Sequence, residues 1–203
     1  MGEVGTLNIT SAMVKELRVK TGAGMMDCKE ALTASDGDFE KAIDYLRKKG
    51  MSAATKRSSK AAKDGVIASY IHMGGKIGVL VEVNCETDFV AKTDDFQRFA
   101  KDLTMHIAAA NPLFVSPDEI PEEVIEREKE IFRSQALAEK KPEKIWEKII
   151  EGKLKKYYED VCLVNQKFIK DTDISIETMV NNMIAKTGEN VVIRRFIRYQ
   201  LGA

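Results

Sequence analysis

The sequence predicts an α+β protein with an N-terminal three-helix unit over residues 1–50 and a linker over 51–63. Over 64–203 it predicts an antiparallel sheet of three main strands, backed by helices and carrying an inserted helical hairpin at 121–161. Three observations carry that reading. Residues 10–49 show short apolar stripes at helical spacing, broken at Gly22, Gly24 and Ser35-Asp36-Gly37-Asp38. Residues 65–84 alternate apolar and polar positions about Gly74-Gly75. Residues 121–161 hold two long helical stripes separated by Lys140-Lys141-Pro142.

Taken in order, Thr10 caps the first helix, with Met13, Val14 and Leu17 on one face. Met25, Met26, Ala31 and Leu32 mark the second, and Phe39, Ile43 and Leu46 the third, which closes before Gly50. Residues 51–63 are rich in Ala, Ser, Lys and Arg and lack a face of large apolar residues, so they read as a partly helical linker. Its cations, Lys56, Arg57, Lys60 and Lys63, have no interleaved aromatics and read as a solvated tether rather than a nucleic-acid footprint.

Strands follow at 65–73 and 76–84, joined by Gly74-Gly75 as a two-residue turn in which both positions tolerate positive φ. Gly75-Lys76 is no phosphate loop, because Tyr70 stands where the motif needs its first glycine and Ile77 where it needs Ser or Thr. Ile77, Val79, Val81 and Val83 share one face of the second strand. That strand runs into a polar turn carrying Phe89 between Asp88 and Lys92. Thr93-Asp94-Asp95 then caps a helix over 93–110, striped by Phe96, Phe99, Ala100, Leu103 and Ile107 and ended by Asn111-Pro112.

Residues 117–121 form a loop, and Pro121 opens the hairpin. Val124, Ile125, Ile131, Phe132, Ala136 and Leu137 line its first helix. Ile145, Trp146, Ile149, Ile150, Leu154, Tyr157, Tyr158 and Val161 line its second, which Gly152 weakens and is placed to bend or end. Phe168-Ile169 reads as a short strand. Ile176, Met179, Val180, Met183 and Ile184 make a helix ending at Gly188. A last strand over 190–200 sets Val191, Ile193, Ile197 and Tyr199 on one face, interrupted by Arg195.

Composition narrows the function. Lys plus Arg and Asp plus Glu are both 32, and a net charge of zero argues against a general phosphate-backbone binder and for a protein partner. Cys28, Cys85 and Cys162 are widely separated, with no CxxC pair and no Cys/His cluster. Neither a metal site nor a disulfide framework is expected, and reduced thiols suit a cytoplasmic protein. No segment approaches the ~20 apolar residues that span a membrane. Only His72 and His106 are present, and both read as structural or exposed. Without a nucleophile elbow, an HExxH or a dinucleotide fingerprint, an enzyme reading is poor and no cofactor is expected. Binding therefore leads. Phe89 has two readings on its residues alone: a plug for this domain's own core, or a wedge for a partner's pocket.

Thr87-Asp88-Phe89-Val90 resembles the signature of the translation elongation factor Ts family, the nucleotide exchange factors of elongation factor Tu. Two further blocks agree in order and spacing. One is Val14-Lys15-Glu16-Leu17-Arg18 with Thr21-Gly22-Ala23-Gly24-Met25-Met26-Asp27-Cys28-Lys29-Glu30-Ala31-Leu32; the other is Ala62-Lys63-Asp64-Gly65-Val66-Ile67. The similarity covers nearly the whole chain. It implies that the three-helix unit has a ubiquitin-associated-like fold. It implies that Thr87, Asp88, Phe89 and Val90 insert between two helices of the GTPase domain of elongation factor Tu, near its Mg²⁺ site. It implies that Val14, Leu17, Arg18, Met25 and Met26 touch the nucleotide-base side. The residues themselves leave Leu17 and Met26 open between helix core and contact face, and favour exposure for Arg18 and Met25.

Longer members of that family carry a duplicated core subdomain, and this chain has room for one; short members are associated with homodimers. Some have a cysteine in the last strand. Here it reads Phe196-Ile197-Arg198-Tyr199, so a non-covalent dimer is expected. The competing class is an adaptor whose three-helix unit binds a ubiquitin-like or peptide partner, but an adaptor has no use for Asp88-Phe89.

Overall fold

The computed structural model describes residues 9–203. Helix α1 (Ser11–Thr21) starts at Thr10, whose Oγ1 accepts from the Met13 N–H at 3.3 Å. It stops at Gly22, whose left-handed φ of 69° lets its N–H reach the Arg18 carbonyl. Helix α2 spans Met25–Ala34, and α3, capped by Asp38 on the Lys41 N–H, spans Phe39–Arg57. Val14, Leu17, Cys28, Ala31, Leu32, Ala42 and Leu46 form one buried cluster, so these helices close a core from their own residues. Helix α3 does not end at Gly50. Ala53, Ala54 and Lys56 are good helix formers, and they carry the helix on to Arg57 without needing an apolar stripe.

Strand β1 (Asp64–Ile71) and β2 (Ile77–Cys85) form the expected hairpin, but its connection is longer than expected. The His72 N–H donates to the Ile77 carbonyl and the Gly75 N–H to the His72 carbonyl, both at 2.9 Å, leaving residues 73–76 as the loop. A φ of 85° at Gly74 suits the third position of a type II turn, and Gly75 follows at 69°. With both glycines spent inside a longer loop, the strand pairing closes at His72 and Ile77 rather than at Met73 and Lys76.

The short helix α4 (Asp88–Ala91) and then α5 (Asp94–Ala110) follow β2. The predicted stripe Phe96, Phe99, Ala100, Leu103 and Ile107 is buried in full. Helices α6 (Glu122–Ala138) and α7 (Trp146–Val161) make the hairpin. Helix α7 runs straight through Gly152; a single glycine costs only about 1 kcal/mol against alanine, too little to break a helix packed along a partner. Ala136 and Ile150 are the fully buried residues within the two helices. The hairpin's base is held where the Leu113 and Phe114 N–H groups meet the Val161 carbonyl. A two-stranded ribbon of β3 (Lys167–Phe168) and β4 (Asp171–Ser175) follows, then α8 (Ile176–Thr187), closed by Gly188 at φ 71°.

Strand β5 (Val192–Gln200) completes an antiparallel sheet of order β1-β2-β5. Its expected single apolar face is not observed. Val191 and Ile193 are buried, but Ile197 is 43% and Tyr199 67% exposed, while Phe196 and Arg198 turn inward. The alternation changes phase about Arg195, which pairs outward with Glu82 at 2.7 Å. That shift lets the Arg198 guanidinium donate to the Ala108 carbonyl, in the last turn of α5, at 3.2 Å. Helix α5 also holds the sheet through Lys101, whose Nζ lies over the Tyr70 ring. Val79, Val81 and Val83 are buried on β2's inner face, whereas Ile67, Ile71, Leu80, Ile197 and Tyr199 are exposed on the sheet's outer one.

The chain divides into two compact units. One holds residues up to Val66 with Asn84–Gln97 and Thr178–Val192; the other holds Ile67–Val83, Arg98–Glu177 and Ile193–Ala203. Among the described residues, no helix is long and apolar enough to cross a membrane.

Candidate functional site

The polar turn after β2 is a single helical turn with a defined inside and outside. Thr87 is its N-cap, in extended conformation, with Oγ1 accepting from the Val90 N–H at 3.4 Å. Val90 and Ala91 face inward and are buried, and Asp88, Phe89 and Lys92 face outward. Phe89 is 78% exposed, so the turn's anchor is its neighbours and not its ring. This removes the core-plug reading. The turn is also closed from behind: Thr93 Oγ1 donates to the Val90 carbonyl at 2.8 Å and Gln97 Nε2 to the Ala91 carbonyl at 2.7 Å.

Asp88 and Lys92 form an exposed ion pair one turn apart. The Lys92 ammonium holds the Asp88 carboxyl below the usual carboxylate range, so Asp88 presents a full negative charge beside the ring at neutral pH. Behind the turn, the Cys85 thiol donates to the Thr87 carbonyl at 3.1 Å. Burial, with Glu189 and Asp64 nearby, pushes that thiol up to about 11, so it stays protonated and unreactive.

Sequence reasoning missed Glu189. Its carboxylate accepts from the Glu86 and Thr87 N–H groups at 3.1 and 3.0 Å and from the Thr87 hydroxyl at 2.6 Å. Its position just after the Gly188 helix stop was visible, but its partners lie 102 and 103 residues earlier, and nothing local announces them.

In the three-helix unit the predicted contact residues separate. Val14 and Leu17 are inside the helix core, because their spacing puts both on the stripe of α1 that meets α2. Arg18 is exposed, as are Met25 at 50% and Met26 at 74%. The methionines open α2 after Gly24, a helix start whose cap makes no side-chain hydrogen bond. Beneath them Lys49 of α3 bridges Asp27 at 2.8 Å and Glu30 at 2.6 Å, and those two contacts hold its ammonium above the usual lysine range. Tyr45 donates to Glu30 at 2.6 Å. This network pins α2 to α3 and so fixes the direction in which Met25 and Met26 point.

The family model described as Elongation factor TS matches residues 11–203. The chain belongs to the elongation factor Ts family. An elongation factor Ts from Syntrophus aciditrophicus is 82% identical over 196 residues, covering 97% of this chain and 98% of that protein. One from Heliobacterium modesticaldum is 57% identical over 194 residues, covering 96% and 90%. One from Desulfosudis oleivorans is 55% identical over 194 residues, covering 96% and 98%. Membership in the elongation factor Ts family makes this a protein of translation elongation, with the mixed helix-and-sheet fold described above.

Proposed function

We propose that this chain is a guanine-nucleotide exchange factor that binds elongation factor Tu·GDP and speeds GDP release by disturbing its Mg²⁺ and nucleotide site. The observation that carries the reading is the exposed Phe89, set beside a charged Asp88 on a turn whose other residues are anchored. Thr87 and Val90 hold that turn, and Phe89 and Asp88 enter the partner. The mechanism is differential binding. A wedge that fits only a distorted Mg²⁺ site weakens GDP, and GDP weakens the wedge by the same factor. One buried ring supplies roughly 1.5–3 kcal/mol, or one to two decades of affinity, so a second contact is required. Arg18, Met25 and Met26 supply it from the surface, with Val14 and Leu17 supporting them from the core. Exposed methionines suit an adaptable contact.

The chain needs no cofactor, catalyses no bond cleavage, acts in the cytoplasm and contacts no nucleic acid directly. It acts as a non-covalent homodimer, in which a second copy covers the apolar outer sheet face of Ile67, Ile71, Leu80, Ile197 and Tyr199. The test is release of fluorescent GDP from elongation factor Tu. Substoichiometric amounts of this protein should accelerate it, with no GTP hydrolysed by the protein alone. A release rate that does not change with concentration would sink the assignment.

A further inference from the structure

We propose that Glu189 is a positioning residue for exchange: its carboxylate holds the 87–90 turn in one conformation and, with Glu86 and Asn190, ties that turn to the end of α3. The inference rests on the reading that this turn is the exchange element. Helix α4 is four residues long, too short to sustain itself, because a first helical turn fixes several residues for a single hydrogen bond. Its shape must be imposed from outside.

Glu189 imposes it with three accepted hydrogen bonds, from the Glu86 N–H, the Thr87 N–H and the Thr87 hydroxyl. An ionised carboxylate only accepts, so the Thr87 hydroxyl must donate to it and keeps its lone pairs for the Val90 N–H. The arrangement is reciprocal, since Glu86 Oε1 accepts from the Asn190 N–H at 2.7 Å. Buried Asn190 then donates from Nδ2 to the Lys60 carbonyl at 2.8 Å, and Arg57 stands 3.6 Å from Glu86. Helix α3 meets α8 at Gly50, where a Cβ would lie 3.7 Å from the Asn181 carbonyl oxygen. One frame of α3, α8 and the 189–190 bracket therefore holds both the methionine face and the Phe89 ring. After first contact, a turn already in its bound shape loses less freedom as the ring enters the distorted pocket, so the gain falls on the exchange step.

The test uses the full chain and elongation factor Tu carrying fluorescent GDP. Glu189→Gln keeps the size but removes the negative charge that strengthens all three bonds, and it turns the oxygen that accepts from the Thr87 hydroxyl into a donor. Its maximal GDP-release rate should fall about tenfold, while the half-saturating concentration moves by less than about twofold, because the lost interaction matters in the distorted state rather than in initial docking. Hydrogen exchange at the Glu86 and Thr87 amides should quicken, with protection in β2, α5 and α8 unchanged. In a Phe89→Ala background the same substitution should cost much less, since most of what Glu189 positions is the ring.

Thr87→Val, which removes one of the three bonds and the cap on the Val90 N–H, should show a fall that also shrinks in that background; it decides the matter if Glu189→Gln does not fold. A wild-type rate in Glu189→Gln, or a fall that persists undiminished without the ring, overturns the proposal. A wild-type protein with no effect on GDP release overturns the exchange reading and this inference with it.

Discussion

Leaving a phenylalanine ring 78% in solvent forgoes most of the roughly 1.5–3 kcal/mol its burial would return. Removing it should therefore cost this protein little. Phe89→Ala is expected to melt within a few degrees of wild type and to lose one to two decades of exchange rate; a buried Phe→Ala would instead cost about 3–5 kcal/mol of stability. Asp88→Ala should also slow GDP release, and its deficit should shrink once EDTA has stripped the Mg²⁺ it is proposed to disturb. The chemistry of the 84–92 stretch was legible as a polar turn with one large ring. Its direction was not, because inside and outside are set by Val90, Ala91 and a carboxylate about a hundred residues away.

His106 shows the same limit and gives a pH prediction. It is fully buried, and its Nε2 meets Gln166 Oε1 at 2.9 Å. Gln166 Nε2 donates to the Asp160 carbonyl, which leaves Oε1 as the acceptor and puts the imidazole proton on Nε2. Burial depresses the pKa of His106 below the ordinary value. The unfolded chain then takes up the proton first as pH falls. The stability this group contributes is complete above about 6.5 and is lost as pH drops through the lower folded value. Thermal melts at pH about 7.5 and about 5 should show a drop that is smaller in His106→Gln.

Among the elements, the three-helix unit closes its core with residues 9–46 alone. Deleting residues 1–50 should leave a cooperatively melting remainder, because Val79, Val81, Val83, Leu103, Ile107 and Ile193 all lie outside the deletion. GDP release should fall sharply, since the methionine face goes with it. Full activity in the truncated protein would remove Arg18, Met25 and Met26 from any role in binding. Helices with strong stripes, such as α1, α5 and α8, were legible because burial follows the helical period. Strand β4 was not, since Asp171-Thr172-Asp173-Ile174-Ser175 has no apolar alternation and pairs only because β3 lies beside it. The phase change in β5 was equally hidden: it answers to Glu82 and the Ala108 carbonyl, not to its own sequence.

For the molecule as a whole, the decisive surface is the outer sheet face. Ile67, Ile71, Leu80, Ile197 and Tyr199 make an exposed apolar field on strands that are otherwise well paired. Light scattering should report about twice the chain's 22.7 kDa at micromolar concentration, with or without reductant. Leu80→Glu should shift the protein to monomer without lowering its helix content. A wild-type mass of one chain would refute the homodimer. The last strand was legible as apolar, but which of its residues face out depended on the phase change. All three cysteines, meanwhile, lie in the interior, and burial pushes Cys85 and Cys162 up to about 11. The folded molecule thus offers thiol reagents almost nothing to attack. A cysteine introduced at Met26 would be its one fast-reacting sulfur, and a dye placed there could follow docking in real time on an otherwise native protein.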